Sequence, residues 1–302
     1  CHAEAKYMVK ATLASMRHYC PEVPICLIVD GDYDASDLEE EYEVIIMRVS
    51  DLPSKEMREF VSGSYHVQQA AMWEGPFEFY VWIDCDAVVW GDFISQVRTD
   101  LDFQIFWSEI SIPADAKEVP SWLPHYFFDP EKLSKFDPDF EWRGLPYFCT
   151  GVYACRRNLI SFERWLEVES WKEEDPDLFG WGNMGTAVYH IHSLAQQGKI
   201  KTDMVDLQHI WAHHGKKELI EDCAGAGWNF PEKIARPRVA HFCGIKPNIF
   251  NSKSYCKPFT IARLEHYRRH HGNLAAWLIV LSEDALITVK KLWGRVLRSL
   301  RK

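Results

Sequence analysis

Asp84-Cys85-Asp86 places two carboxylates one residue apart, at the end of the apolar run Phe79-Tyr80-Val81-Trp82-Ile83 and just before Ala87-Val88-Val89-Trp90. An apolar run of that length reads as a buried strand, and acids where such a strand leaves a sheet lie on the edge at which α/β proteins bind ligands. Their oxygens are hard donors suited to Mg²⁺ or Mn²⁺, cations that keep open positions and can therefore hold a diphosphate. The same spacing recurs at Asp30/Asp32, Asp32/Asp34, Asp100/Asp102, Asp137/Asp139 and Asp175/Asp177. Proline between the acids marks the last two as turns, and Asp100/Asp102 precedes its strand rather than ending it. Asp30/Asp32, behind the run Ile25-Cys26-Leu27-Ile28-Val29, is the serious competitor.

The elements that must position these acids alternate. Residues 6–18 have helical spacing and stop before Pro21, and strands are expected at 25–29 and 44–49. A helix at 65–73 feeds the 79–83 strand, and Phe103-Gln104-Ile105-Phe106-Trp107 reads as another strand. This alternation predicts an α/β fold with a mostly parallel mixed sheet. Residues 108–146 are rich in proline and aromatics, among them Trp122, Tyr126, Phe127 and Phe128. Two readings of that insertion stand: flat faces for a sugar acceptor, or packing of the loop onto the core. A strand over 147–155 and an amphipathic helix over 158–171 follow.

The 302 residues are 47% hydrophobic, enough for one substantial core, and the net charge of -10 argues against a general nucleic-acid binder. Nine cysteines, an odd number without a C-x-x-C pair and mostly inside apolar runs, read as buried thiols of a reducing cytosol. The longest apolar stretch, Leu274 to Leu281, covers eight residues, short of the roughly 20 that span a bilayer. The chain opens on Cys1, so its natural start is expected to lie upstream or to have been removed.

Three later segments, taken with Asp84-Cys85-Asp86, make roughly residues 5–250 resemble the glycogenin and bacterial lipooligosaccharide galactosyltransferase family of retaining glycosyltransferases. Phe148-Cys149-Thr150-Gly151-Val152-Tyr153 resembles that family's donor-sugar strand, which carries Asn-Ser-Gly-Val. Gly182-Asn183-Met184-Gly185 resembles its Gly-Asp-Gln-Gly segment beside the reacting carbon. Val239-Ala240-His241-Phe242-Cys243-Gly244-Ile245-Lys246-Pro247 resembles its His-Phe-x-Gly-x-x-Lys-Pro signature. The last also makes chemical sense by itself: imidazole is a third ligand for a transition metal, Gly244 lets backbone approach a phosphate, and Lys246 supplies positive charge.

The resemblance implies a single Rossmann-like nucleotide-diphospho-sugar transferase domain over residues 1–255, its first strand lying ahead of Cys1. It implies a metal-dependent hexosyltransferase that uses Mn²⁺ or Mg²⁺ to move a hexose, with retention, from a UDP-sugar to a hydroxyl of a glycan or lipid-linked acceptor. Asp84, Asp86 and His241 would hold the metal. Tyr7, Thr150, Gly151, Gly244 and Lys246 would bind the donor, Tyr7 by packing on the base or else serving as a core aromatic. Asn183 would act in catalysis together with the two acids.

The chain departs from the family in having Asn183 for the acid, Met184 for the glutamine and Gln68 or Gln69 for a basic residue, and in a signature one residue shorter between Gly244 and Lys246. An amide is no carboxylate nucleophile, which disfavours a covalent intermediate there. Two other readings compete, a sugar-nucleotide nucleotidyltransferase and an inactive sugar-nucleotide-binding scaffold.

Residues 256–302 read as a helical, basic amphipathic tail. Leu286, Val289, Leu292, Trp293, Val296, Leu297 and Leu300 recur at helical spacing, with Lys290, Lys291, Arg295, Arg298, Arg301 and Lys302 on the remaining faces. Such a helix suits an anionic membrane surface, so a cytoplasmic protein peripheral on the inner face is expected; packing on the catalytic domain or on another subunit is the alternative.

Overall fold

Met8, Val9, Ala11, Leu13, Ala14 and Met16 recur at helical spacing and form the buried face of α1 (Lys6–Tyr19), as expected. In the computed structural model the described residues are 5–107, 110–180, 182–211, 217–234, 236–243, 247–249 and 256–300. After α1 come β1 (Ile25–Val29), α2 (Ser36–Tyr42), β2 (Val44–Arg48), α3 (Lys55–Val61), α4 (Gln69–Glu74), β3 (Phe79–Ile83) and β4 (Ala87–Trp90). They are followed by β5 (Phe103–Trp107), α5 (Trp122–Tyr126), α6 (Pro130–Leu133), β6 (Val152–Arg156), α7 (Phe162–Glu174) and α8 (Met184–Gln196). The last elements are β7 (Thr202–Trp211), α9 (Lys217–Asp222), β8 (Arg238–His241) and α10 (Lys257–Leu300). The fold is mixed α/β.

The chain divides into two compact units, the first taking in the described residues of 24–84 and 94–209, the second those of 4–23, 85–93 and 210–302. In the first, β1 and β2 pair in parallel, and the remaining strands run in the order β3-β6-β5-β7. β6 is antiparallel to both neighbours, with Ile83 opposite Val152, while β5 and β7 are parallel. Antiparallel pairing is thus more extensive than helix–strand alternation suggests, because β6 is reached through the irregular 108–151 segment rather than through a crossover helix.

The core of this unit is strongly aromatic: Trp73, Tyr80, Phe103, Phe127, Phe128, Tyr147, Trp165 and Tyr189 are all buried in it. Each such side chain contributes about 2 to 3 kcal/mol by leaving water. Phe127 and Phe128 are packing residues, and in the insertion Tyr126 instead keeps 47% of its surface exposed.

In the second unit β4 and β8 pair antiparallel, with Ala87 opposite His241, and α1 lies against both β4 and α10. Gly272, at φ 70° and ψ 173°, interrupts α10. Only glycine occupies that backbone region readily, so the residue folds α10 into two arms. Leu264 and Tyr267 of one arm meet Ala276 and Val280 of the other. Arg263, 1% exposed, ties the arms together, donating to Asp284 at 2.7 Å and to Glu283 at 2.8 Å, and Tyr267 Oη also reaches Glu283.

Contrary to the shortness of the apolar run, one helix among the described residues, Lys257–Lys290, has the length and composition to cross a membrane. That stretch includes the break at Gly272 and, near its end, the carboxylates of Glu283 and Asp284, which are committed to Arg263. The eight described cysteines form no disulfide.

Candidate metal and donor site

β3 ends on Asp84, whose position is fixed from two directions. Its backbone N–H donates to the Gly151 carbonyl at 2.8 Å, and the Trp82 indole Nε1 donates to its Oδ1 at 2.8 Å. Residues 82 and 84 share a face of the strand, so the indole reaches the carboxylate without distortion. The first bond also anchors the 150–151 segment, one of the stretches expected to meet a donor sugar.

Beside that segment lies a buried amide network. The Thr150 hydroxyl donates to Asn183 Oδ1 at 3.1 Å, while Asn183 Nδ2 donates to the Tyr65 carbonyl at 2.7 Å and to Gln69 Oε1 at 3.3 Å. Asn183, Gln69 and Thr150 are all buried. Both amide hydrogens of Asn183 are therefore spent on the protein, and the second lone pair of Oδ1 is the capacity left over. Gly185, the second residue of α8, is a glycine for a steric reason: a Cβ there would run into the carbonyl of Phe127.

In the second unit the β4–β8 register brings Asp86 and His241 together. Phe242 N–H donates to the Asp86 carbonyl at 2.9 Å, extending the ladder by one bond, and His241 Nε2 lies 3.2 Å from Asp86 Oδ1. Both side chains are nearly enclosed. Thr12 of α1 holds the turn from behind, its hydroxyl 2.9 Å from the Cys85 carbonyl and 2.7 Å from that of Ala87.

One ligand atom from each of Asp84, Asp86 and His241 falls within 4.8 Å of the others. Donors bound to a small divalent cation at about 2.1 Å lie about 3 Å apart when adjacent, and Asp86 and His241, 3.2 Å apart, have that spacing. Two carboxylates and an imidazole suit Mn²⁺ as well as Mg²⁺.

Tyr7 meets Phe259 edge to face, with centroids 6.3 Å apart, and carries the Arg263 guanidinium 5.3 Å above its ring. Burial pushes its phenol up to about 12 against the opposing pull of Arg263, so it stays protonated. Gly244 and Lys246 lie outside the described residues.

The competing acids have other partners. Asp30 accepts from Ser62 Oγ at 3.1 Å and from Gly63 N–H at 2.7 Å, closing a loop, while Asp137 accepts from Tyr189, and Asp100 and Asp175 pair with Arg98 and Lys132. His190 and His192 are no candidates for proton transfer at neutral pH, since burial depresses them to about 3 and about 4. Sequence reasoning missed two orienting residues, Trp82 and Thr12. The first was legible as an indole two positions before an acid on one strand; the second is a single hydroxyl on an apolar helix face and carries no such signal.

No protein-family model matches the chain, and no curated protein matches it. Solved structures do. The galactosyltransferase LgtC, in complex with donor and acceptor sugar analogues, matches at 11% identity and a TM-score of 0.51, covering 87% of this chain and 93% of that one. An active-site mutant of LgtC matches at 12% identity and 0.48, and apo mouse xyloside xylosyltransferase 1 at 12% and 0.44, covering 87% and 81% of this chain and 93% and 94% of theirs. The first likeness, over most of both chains, shows the fold: it is a GT-A fold.

Proposed function

We propose that the chain is a metal-dependent retaining glycosyltransferase that moves a hexose from a UDP-sugar to a hydroxyl of a glycan or lipid-linked acceptor. The observation that carries this is the convergence of Asp84, Asp86 and His241, at the end of β3 and in the β4–β8 register, on a GT-A fold. A divalent cation held there, Mn²⁺ or Mg²⁺, supplies neutralisation of the charge that develops on the departing diphosphate.

The chain's own residues do the rest. Trp82 and the Gly151 carbonyl fix Asp84, and Thr12 fixes the turn that carries Asp86. Asn183, already anchored through its Nδ2, offers Oδ1 to a sugar hydroxyl, beside Thr150 and Gly151. Lys246 adds positive charge at the diphosphate, Gly244 admits it, and Tyr7 packs toward the base. Because Asn183 is no carboxylate, the acceptor oxygen bonds to the anomeric carbon on the face from which the leaving oxygen departs. That phosphate oxygen takes the acceptor's proton, and no separate base is needed.

Release of UDP from UDP-glucose and UDP-galactose tests this in the presence of Mn²⁺. Asp86→Asn is expected to slow release by roughly 10²-fold or more. Undiminished release by the variant would contradict the assignment.

The tail fits a peripheral site on an anionic inner leaflet, where a lipid-linked acceptor would be met. Leu286, Val289, Leu292, Trp293 and Val296 are 47% to 64% exposed on the last stretch of α10, whose sequence also carries Lys290, Lys291, Arg295 and Arg298. Removing residues 286–302 is expected to release the protein from phosphatidylserine vesicles in a flotation assay, and retained binding would refute the anchoring.

A further inference from the structure

The second unit contains a groove of about 430 Å³ lined by Trp228, Asn229, Arg268, Asn273 and Trp277, none of them in the Asp84–Asp86–His241 group. The two indoles meet edge to face, with centroids 5.0 Å apart and planes at 87°, so one forms a floor and the other a wall. Trp228 is 40% exposed, an unusual placement for the largest apolar side chain. Lys257 steadies the segment that bears it, donating to the Cys223 carbonyl at 2.9 Å with its ammonium 5.4 Å from the Trp228 ring.

Arg268 organises the polar rim. Its Nε donates to Asn273 Oδ1 at 3.0 Å, and its Nη1 donates to Asn229 Oδ1 at 3.0 Å and to the Trp228 carbonyl at 2.7 Å. Both amide oxygens are thereby turned to the guanidinium, which leaves the two Nδ2 groups as donors beside the indoles. Asn273 stands there because Gly272 breaks α10 immediately before it.

An aromatic floor and wall with two oriented amide donors match a pyranose ring, whose C–H face is apolar and whose hydroxyl rim is polar. A phosphate fits less well, since the Nε and Nη1 donors of Arg268 are already engaged. A lipid chain fits less well too, since the rim is amide and guanidinium. We propose that this groove is a second carbohydrate subsite, taking one or two pyranose rings of a neutral oligosaccharide. Binding there needs neither metal nor nucleotide, so it stands or falls separately from the transferase reading.

The test is ¹⁹F NMR of the full chain labelled with 5-fluorotryptophan, the two resonances being assigned through Trp228→Phe and Trp277→Phe. Maltotriose, lactose and xylobiose are titrated in turn, with glycerol as the control. Saturable shifts of the Trp228 and Trp277 resonances are expected with at least one sugar. They should persist without Mn²⁺ and in Asp84→Asn, and affinity should weaken about tenfold or more in Asn229→Ala/Asn273→Ala while the other resonances stay in place. No shift with any of the three sugars, shifts equalled by glycerol, or undiminished binding by the double variant would overturn the proposal.

Discussion

At the scale of single residues, His241 is a ligand candidate because of its register: it pairs opposite Ala87, one residue beyond Asp86. The Asp-x-Asp spacing and the downstream histidine were legible in the sequence, but the pairing that unites them was not, since 147 residues lie between the two strands. Asn183 is equally instructive. Where the resembled family has an acid, Asn183 forms with Gln69 a neutral hydrogen-bonded pair, sealed by Tyr65 and Thr150. Restoring the acid is therefore not restorative here. Asn183→Asp would set a carboxylate oxygen against the Tyr65 carbonyl and strand Gln69 Oε1, so a loss of stability of about 3 kcal/mol is expected. A urea midpoint equal to wild type would show that the network is not closed as described.

At the scale of elements, what could be read ahead was what periodicity encodes: α1, β1, β3 and β5 fall where apolar spacing puts them. The expected helix at 65–73 is a 3-10 turn, Tyr65–Gln68, running into the short α4, which is how the Tyr65 carbonyl comes to face Asn183. The expected strand at 147–155 begins only at Val152, because Thr150 and Gly151 are engaged in side-chain and end-of-strand bonds instead. Neither detail has a periodic signature. The role of Gly185 was also hidden, since the sequence shows a glycine but not the Phe127 carbonyl pressed against it. Gly185→Ala must push α8 off the 127–128 segment and is expected to cost roughly 3 kcal/mol, read as a lowered denaturant midpoint. A change below about 0.5 kcal/mol would mean that the approach is not as close as the structure has it.

At the scale of the whole molecule, the fold was recognisable from four short segments in order, although overall identity to a solved structure of similar fold is only 11%. Such segments persist in the reading because they sit at strand ends and helix starts, where chemistry rather than packing limits the choice of residue. The groove between Trp228 and Trp277 was invisible for the opposite reason: two tryptophan–asparagine pairs some forty residues apart announce nothing until the break at Gly272 sets them side by side.

The central claim is that Asp84, Asp86 and His241 together hold a cation that recruits a uridine diphosphate. Calorimetric titration of the full chain with UDP, with and without Mn²⁺, alongside Asp84→Asn, addresses it most directly. Binding that requires Mn²⁺ and disappears in the variant is the result expected. Binding that is indifferent to the metal, or that survives Asp84→Asn unchanged, would contradict it.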